Sequence, residues 1–415
     1  MTATTAAENR RLDTDILIAG GGMAGATLAL LLAQRCPQLR VTVVEPADLP
    51  PDPDPQAYQP SYDARSTALA YGTRQIYAGL GLWEAIAERA TPIREVHVSY
   101  RGRFGESRLR AEEEQVPALG YVVDNRWLGI NLLKALRGHP GIKWLCPASV
   151  EQVGRQVDGV SVTLSGRAAP EGLTARLLVV ADGGRSGLKE ALGFETSTHD
   201  YGQQAVIANV STAKPHDFQA FERFTDNGPV ALLPRGPVER AAGESALVWT
   251  LASAQAEEVL QLDDSDFLRR LQDQFGWRLG RLTKVGQRQA YPLQLRQVAA
   301  PCQPGIALVG NAAHSLHPVA GQGFNLAVRG LQRLAAAIEE GAGRGRVPGD
   351  LAVLTDYWEQ QQGDVAKIAG FSGLLAEHLD SAKGWLGTGR DAGLVALDLL
   401  DGPRHWFARQ AMGLR

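Results

Sequence analysis

The fold is decided by a stretch near the start of the chain, Asp15-Ile16-Leu17-Ile18-Ala19-Gly20-Gly21-Gly22-Met23-Ala24-Gly25. Its run from Ile16 to Ala19 is apolar throughout, which is typical of a strand buried on both faces. The glycines that follow favour a tight turn, and Ala26 to Gln34 has the composition of a helix. A second apolar run, Val41 to Val44, comes next. Strand, turn, helix and strand in this order predict a parallel βαβ unit.

The spacing of the glycines indicates what this turn does. Gly20, Gly22 and Gly25 follow the pattern G-x-G-x-x-G, and an acid, Glu45, comes directly after the second strand. In this pattern the first glycine permits the tight turn, the second admits a pyrophosphate, the third lets helix and strand pack closely, and the acid accepts from ribose hydroxyls. The segment therefore predicts a dinucleotide site, the alternative being a purely structural turn. NAD and FAD both bind this unit, so the choice between them stays open.

Size and charge narrow the class of protein. The chain has 415 residues, more than the roughly 250–300 at which single cores tend to split, so we expect two domains. The net charge of −3 gives no basic surface for nucleic acid. The three cysteines form no C-x-x-C pair, so neither a disulfide framework nor a zinc site is indicated and a cytoplasmic compartment is expected. No run of about 18 apolar residues occurs, so any membrane contact should be peripheral.

Two later segments also place polar residues after apolar strands. Leu177 to Ala181 is a continuous apolar run followed by Asp182-Gly183, and open parallel sheets place ligand contacts at such strand ends. Ala307 to Gly310 is another, leading through a polar loop to Gly321-Gln322-Gly323 and a predicted helix, Leu326 to Ile338. Glycines and a helix start favour an electron-rich or anionic group at this loop, although an ordinary strand-to-helix turn is the simpler alternative.

The remaining chain predicts an α/β fold with an insertion. Short strand-like runs from about residue 195 to 285, interrupted by a helix over 264–275, indicate an antiparallel sheet carried on a Rossmann-like domain. The expected division is 1–88, 121–190 and 285–340 for the cofactor domain, 89–120 and 191–284 for the substrate-binding β-sheet domain, and 341–415 for a C-terminal helical region. The apolar stripe of that last region fits packing on the body or a partner subunit, or a helix on a membrane surface.

Taken in order, three motifs resemble those of the class A flavoprotein monooxygenases, the family of para-hydroxybenzoate hydroxylase. They are Gly20 to Gly25, Asp182-Gly183 and Gly310-Asn311, and the resemblance covers roughly residues 14 to 340. Within this family the chain is most similar to the ubiquinone-biosynthesis hydroxylases of the 2-polyprenyl-6-methoxyphenol class. That likeness rests on three phrases: Arg65 to Leu69, Phe221 to Phe224, and His314 to Leu326.

Two positions depart from the family pattern. Asn311 stands where aspartate is usual, which keeps a hydrogen-bonding side chain but loses the charge. Lys189 stands where arginine is usual, and it cannot make a bidentate fork with a phosphate.

The resemblance implies FAD as cofactor, NAD(P)H as reductant, O2 as co-substrate and hydroxylation of a polyprenylated phenol. Other ubiquinone-biosynthesis proteins and a peripheral membrane contact are further implied partners. It implies cofactor contacts from Gly20, Gly22, Gly25, Glu45, Arg65, Arg126, Asp182, Gly310, Asn311, Gly321, Gln322, Gly323 and Asn325. It places Pro318, Gly321, Gln322 and Gly323 at the reactive edge of the flavin.

Some roles stay open on the sequence. No general base can be named. His314 and His317 have a spacing that could suggest a metal, but no third ligand is placed, so packing beside the cofactor is the preferred interpretation and no metal is expected. Tyr291 fits either a pocket or the core. The alternatives to a hydroxylase are another FAD oxidoreductase of the same fold, such as a polyprenyl reductase, and a non-catalytic scaffold of the quinone-synthesis assembly.

Overall fold

The structure is a computed structural model that describes residues 12–49, 54–55, 65–102, 106–236, 243–315, 321–378, 405, 408–410 and 412–414. The strands are β1 (Thr14–Ala19), β2 (Val41–Val44), β3 (Ser66–Ala70), β4 (Ala90–Ile93), β5 (Glu95–Tyr100), β6 (Glu106–Arg110), β7 (Gly120–Asp124), β8 (Ile142–Leu145), β9 (Ser149–Gln156), β10 (Gly159–Ser165), β11 (Gly172–Val180), β12 (Thr196–Thr212), β13 (Gln219–Thr225), β14 (Gly228–Arg235), β15 (Glu244–Ala252), β16 (Leu282–Val285), β17 (Gln289–Val298), β18 (Cys302–Gln303), β19 (Ile306–Leu308) and β20 (His314–Ser315). The helices are α1 (Met23–Arg35), α2 (Tyr71–Gly79), α3 (Trp83–Ala87), α4 (Asn125–Gly138), α5 (Leu188–Ala191), α6 (Ser253–Gln261), α7 (Asp264–Phe275), α8 (Gln322–Gly343) and α9 (Leu351–His378), with a 3-10 turn at Gly310–Ala312.

A largely parallel sheet forms the base of the fold. Its order is β18-β19-β11-β1-β2-β8, with β10 and β9 added antiparallel beside β11. Ala19 at the end of β1 pairs with Val44 of β2 and Val180 of β11, and Val180 pairs with Leu308 of β19. The carboxyl ends of four strands therefore lie level at one edge. The three motif segments continue from these ends, so the register alone brings them together.

Alternate residues of this sheet enter two different cores. Ile16 and Ile18 pack with helices α1, α4, α8 and α9 on one face. Leu17 and Ala19 pack on the other face with residues of β9, β10 and α5. Because both faces are covered, the strands are apolar without alternation, as the sequence predicts.

The second large sheet has nine strands in the order β20-β17-β12-β15-β14-β13-β5-β6, with β16 beside β12. Its apolar residues on one face pack against α6 and α7, and the opposite face meets the small sheet β3-β7-β4. The predicted α/β class with an inserted antiparallel sheet is confirmed, and the helix predicted over 264–275 is α7.

Two strands lie in sheets other than those that the expected division gave them. Gln289–Val298, assigned to the cofactor domain, pairs with β12 over most of its length in the nine-stranded sheet. Ala90–Ile93, assigned to the substrate domain, pairs with β7 in the small sheet. The strand Gln289–Val298 is largely polar and contains Pro292, so its sequence lacks the apolar alternation that would indicate a strand. We propose that the boundary after the inserted sheet lies beyond Val298.

The C-terminal helical region begins by packing on the body of the protein. A Cβ on Gly341 would lie 2.6 Å from Val353, and Tyr357 is buried in the main core. Arg333 of α8 donates hydrogen bonds to Gln361 and Asp364 of α9. The apolar residues expected to form the later stripe, 394 to 400, lie outside the described residues.

Within the described part of the chain, no helix combines the length and apolar character needed to cross a membrane. The three cysteines are free thiols.

Candidate cofactor-binding site

The glycine turn after β1 shows why each of its three motif positions lacks a side chain. Gly20 has φ +109°, and a Cβ there would lie 2.7 Å from the carbonyl oxygen of Ala181. A Cβ on Gly25 would lie 1.9 Å from the carbonyl oxygen of Gly20. A Cβ on Gly22, by contrast, would have no described atom within 4 Å. Two of the glycines therefore shape the turn, and the third leaves open space at the start of α1.

Gly21 is a fourth constrained position, which the motif does not indicate. A Cβ there would lie 2.5 Å from the ring of Trp144, which comes from β8 far along the chain. Its amide donates a 2.7 Å hydrogen bond to Oε2 of Glu45, and Oε1 of Glu45 accepts from the amide of Ala47 at 2.8 Å. Glu45 thus fixes the turn in the absence of a ligand. Each of its oxygens keeps a second lone pair, so acceptance from a ribose hydroxyl stays a prediction.

Asp182 organises the second motif in a similar way. Its Oδ1 accepts from the amide of Gly184 at 2.8 Å, and its Oδ2 accepts from the amide of Ser186 at 3.1 Å and from the Ser186 hydroxyl. Gly183 and Gly184 both have positive φ, which only glycine adopts readily. The carboxylate therefore holds the loop in shape beside β1. Lys189, which replaces the usual arginine, is buried and lies 3.5 Å from Oε1 of Glu190.

The third motif meets the first two. A Cβ on Gly310, where φ is +58°, would lie 3.5 Å from Cβ of Ala24 in the first turn of α1. A Cβ on Gly184 would lie 3.4 Å from the carbonyl oxygen of Asn311. Asn311 itself is exposed. Since Gly20 already abuts Ala181, the three segments predicted to share one ligand are in mutual contact. Their exposed backbone faces the same edge of the parallel sheet.

Helix α8 begins beside this edge. Its N-cap, Gly321, has φ +60°, and a Cβ there would lie 3.4 Å from Cβ of Ala68 on β3. Gln322 is half-buried, and a Cβ on Gly323 would meet no atom within 4 Å among the residues that the structure describes. The amides of the first turn of this 22-residue helix thus border open space. Pro318 and His317 lie outside the described residues.

Asn325 was expected to contact the cofactor, and the structure gives it a different role. Its Oδ1 accepts from the amide of Ala70 and the hydroxyl of Thr73, each at 2.8 Å. Its Nδ2 donates to the carbonyls of Ala68 at 2.8 Å and Gly321 at 2.9 Å. Both donors and both acceptor positions of the amide are used within the protein, and the side chain is buried. The Asn325 side chain therefore positions the start of α8 against β3, and a contact of its backbone with the cofactor stays a prediction.

The two arginines predicted to contact the cofactor, Arg65 and Arg126, lie next to β3 and at the start of α4. The amide of Asn125 donates to the carbonyl of Arg65 at 2.9 Å, which places Arg126 close to Arg65 along the backbone. Nη1 of Arg65 donates to the Tyr291 hydroxyl at 3.0 Å, and its guanidinium lies 5.4 Å from the centre of that ring. Arg126 is exposed in the first turn of α4. Contact of either guanidinium with a phosphate stays a prediction.

His314 lies on β20, immediately after the third motif. Its side chain is buried, and neither ring nitrogen has a hydrogen-bond partner among the described residues. Desolvation lowers the pKa of His314 to about 4, so the ring is neutral at physiological pH. Within the described chain, no group of three or more potential ligands could hold a metal ion.

The residues at this edge fit FAD. Open space lies over Gly22 and Gly323, which stand at the starts of two long helices, α1 and α8. The N-cap residue of each helix is a glycine, Gly22 or Gly321, which has no side chain to cap the first turn. A long helix that begins in this way favours an anionic or electron-rich group at its start. The opening over Gly22 suits a pyrophosphate, and the opening over Gly323 suits the carbonyl edge of an isoalloxazine ring.

Known proteins agree with this assignment. A family model described as FAD binding domain matches residues 13–347. The chain is 33% identical over 402 residues to ubiquinone hydroxylase UbiL of Rhodospirillum rubrum, covering 96% of this chain and 89% of that protein. It is 32% identical over 352 residues to 3-demethoxyubiquinol 3-hydroxylase of Escherichia coli, covering 85% and 86%. The fold is similar to that of PqsL from Pseudomonas aeruginosa, with a TM-score of 0.75 and 21% identity over 92% of this chain and 99% of that one.

These matches confirm the expected family and its cofactor, FAD. They span the cofactor segments and the inserted sheet together, so the likeness is not limited to the glycine motif. The chain belongs to the ubiquinone-hydroxylase family of FAD-dependent class A flavoprotein monooxygenases.

Proposed function

We propose that this protein hydroxylates the aromatic ring of a polyprenylated phenol in ubiquinone biosynthesis, using NAD(P)H as reductant and O2 as co-substrate. The observation that carries the proposal is the convergence of the three motif segments at one sheet edge. The inserted antiparallel sheet is connected to the nearby start of α8 through Ala68, which packs with Ala220. The named activities of the relatives from Rhodospirillum rubrum and Escherichia coli support the substrate class.

FAD, when bound, supplies the electron transfer and oxygen chemistry, and the protein supplies position, dryness and electrostatics. The open space over Gly22 would admit the pyrophosphate of FAD to the start of α1. The backbone from Gly321 to Gly323 would hold the pyrimidine edge of the flavin and would stabilise negative charge there, in the manner of an oxyanion hole. The inserted sheet packs through Ala220 and Leu233 against Ala68, Ile93 and Val122 of the small sheet, and this apolar contact would help to keep water from the bound cofactor.

The test begins with the absorption spectrum of the purified protein, which should show bound flavin. NAD(P)H oxidation is then followed with and without a prenylated phenol, and oxygen uptake and product mass are measured. We expect phenol-dependent oxygen uptake and a product heavier by one oxygen atom. Reduction without oxygen incorporation would indicate a polyprenyl reductase instead. Colourless protein that takes up no FAD would indicate a scaffold.

We further propose peripheral contact with a membrane, because a polyprenyl chain resides in the bilayer and must be collected from it. The test is liposome flotation of the full chain and of a variant truncated after Ala382. Equal flotation of the two would discard a role for the C-terminal segment.

A further inference from the structure

The inserted sheet presents one of its two faces to the cofactor side. Phe221 of β13 packs against Phe275 of α7, with ring centres 5.7 Å apart, so Phe221 points to the helix-covered face. Successive side chains of a strand alternate between faces. Ala220 and Glu222 therefore point the other way, and Ala220 indeed packs with Ile93, Val122 and Ala68 of the small sheet. Glu222 therefore lies on the same face as Ala220, opposite the helix-covered face.

A row of half-buried residues crosses this face, one from each of five neighbouring strands. Register pairing connects them in the order Val98, Glu222, Ala231, Val248 and Ile207. Most of their neighbours on the helix-covered face, among them Phe221, Leu232 and Leu247, are buried. Because this row keeps accessible surface beside the packed contact at Ala220, we interpret it as the floor of a groove. Four members of the row are apolar, and the carboxyl of Glu222 is the exception.

The Glu222 carboxyl has no protein partner among the described residues, where no hydrogen bond or ion pair reaches it. It keeps accessible surface, yet surrounding protein desolvates it enough to raise its pKa to about 7. Accessible surface and a raised pKa occur together when a carboxyl lies on the wall of an internal groove. An unpartnered buried carboxylate is costly, which indicates that a ligand group completes it.

Two other polar side chains near this face, Arg235 and Tyr100, already contact other residues of the protein. Arg235 of β14 donates to both carboxylate oxygens of Asp124 on β7, at 3.2 and 3.1 Å, and to Glu244 of β15 at 3.1 Å. Tyr100 of β5 stacks on Phe224, with ring centres 4.9 Å apart. Glu222 is therefore the free acid of this face within the described chain.

The groove reaches the cofactor edge through a short chain of contacts. Ala68 packs in the same cluster as Ala220, two residues from Glu222, and Ala68 also abuts Gly321 at the start of α8. A ring lying between Glu222 and the α8 start would be held at one side by the carboxyl. The apolar row leading away across the sheet suits a hydrocarbon tail.

Building on the proposed function, we propose that Glu222 is a catalytic residue that binds the phenolic hydroxyl of the substrate and accepts its proton. The phenol O–H bond breaks, an O–H bond forms on the carboxylate, and the electron pair stays on the phenol oxygen, which makes the ring a better nucleophile. After hydroxylation, the C–H bond of the attacked ring carbon breaks, its proton passes to water and its electron pair restores the aromatic ring, while the phenol oxygen regains the proton held by Glu222. The residue ends the cycle unchanged.

The variant Glu222→Gln keeps the shape and removes the charge, and Glu257→Gln on the exposed side of α6 is the matched control. At saturating FAD, we expect Glu222→Gln to lower kcat/KM for a short-chain prenylphenol on the order of 10²-fold relative to wild type. The control Glu257→Gln should leave kcat/KM unchanged. Wild-type kcat/KM should rise with pH through about 7, as the carboxyl becomes a proton acceptor. The variant should lose this rise, whereas a variant with wild-type kcat/KM and pH profile would overturn the assignment.

Phenol binding is read separately, from the shift it causes in flavin absorption of the holoenzyme. We expect about tenfold weaker binding in Glu222→Gln, and unchanged binding would count against the assignment. Wild-type protein that binds the phenol without hydroxylating it would defeat the proposed function alone. The variant should also melt no lower than wild type at pH 8, because it loses an unpaired buried charge. A lower melting temperature would show that the carboxylate has a protein partner after all.

Discussion

Alanine substitutions at Gly22 and Gly25 should separate cofactor binding from folding. Gly22 has φ −65° and ψ −174°, which alanine adopts without strain, and its Cβ would enter open space. We expect the unfolding free energy of the flavin-free Gly22→Ala protein to change by less than about 0.5 kcal/mol. The added methyl group would occupy the approach of the pyrophosphate. FAD affinity should therefore fall at least tenfold, about 1.4 kcal/mol.

Gly25→Ala should behave differently, because its Cβ would lie 1.9 Å from the Gly20 carbonyl oxygen. Relieving that overlap requires a backbone shift, and overpacking of this kind costs about 1–3 kcal/mol. Urea unfolding of both flavin-free variants and titration with FAD, followed by flavin fluorescence, measure the two effects. The reasoning is refuted if Gly22→Ala binds FAD as wild type does, or if Gly25→Ala loses no stability.

Three further predictions concern residues that position the site. Arg235→Met should cost about 2–3 kcal/mol in urea unfolding, because it removes two charge-assisted hydrogen bonds from the half-buried Asp124 carboxylate, whereas Arg270→Met, at the exposed pair with Glu258, should cost less than about 1 kcal/mol. Burial holds the folded pKa of His314 at about 4, below the unfolded value of 6.5, so the unfolded state binds the extra proton between those values. The contribution of His314 to the free energy of unfolding should therefore be full above pH 6.5 and fall by roughly 3 kcal/mol as the pH drops to 4. The variant His314→Gln should lose this pH dependence. Identical profiles of unfolding free energy against pH for wild type and variant would contradict the prediction. Asn325→Leu should lower stability by at least about 2 kcal/mol by leaving the Ala70 amide and Thr73 hydroxyl unpaired, and should speed FAD release in stopped flow; an unchanged release rate would remove Asn325 from the positioning of α8.

The parts of the fold that the sequence predicts are those whose burial is uniform along the segment. Ile16 to Ala19 and Leu177 to Val180 are buried on both faces, so they are apolar without interruption and recognisable as parallel strands. Gln289–Val298 is half-exposed and polar, and it is held by pairing with β12. This segment is a strand because it pairs with β12, which is remote in sequence, and a local sequence pattern cannot show such a pairing.

The same distinction applies to the site. Gly20, Gly22 and Gly25 can be predicted because the backbone geometry of one short turn demands them. The constraint on Gly21 comes from Trp144, on a different strand. Asn325 resembles a ligand residue in its motif, yet its partners Ala70 and Thr73 lie more than 250 residues earlier, at separations of 255 and 252. Only the folded chain shows that its amide is fully used.

Side chains of the cofactor edge mostly bind the protein's own backbone. The carboxylates of Glu45 and Asp182 accept from amides of the loops in which they lie or which they adjoin. What remains available to FAD is chiefly amide groups and open space over glycines. Loop shape is therefore the main determinant of cofactor binding here, and the acids act first by fixing that shape. The carboxylates of the cofactor edge are engaged by loop amides, whereas the Glu222 carboxyl on the inserted sheet is not, and we therefore look to that sheet for chemical selectivity toward the substrate.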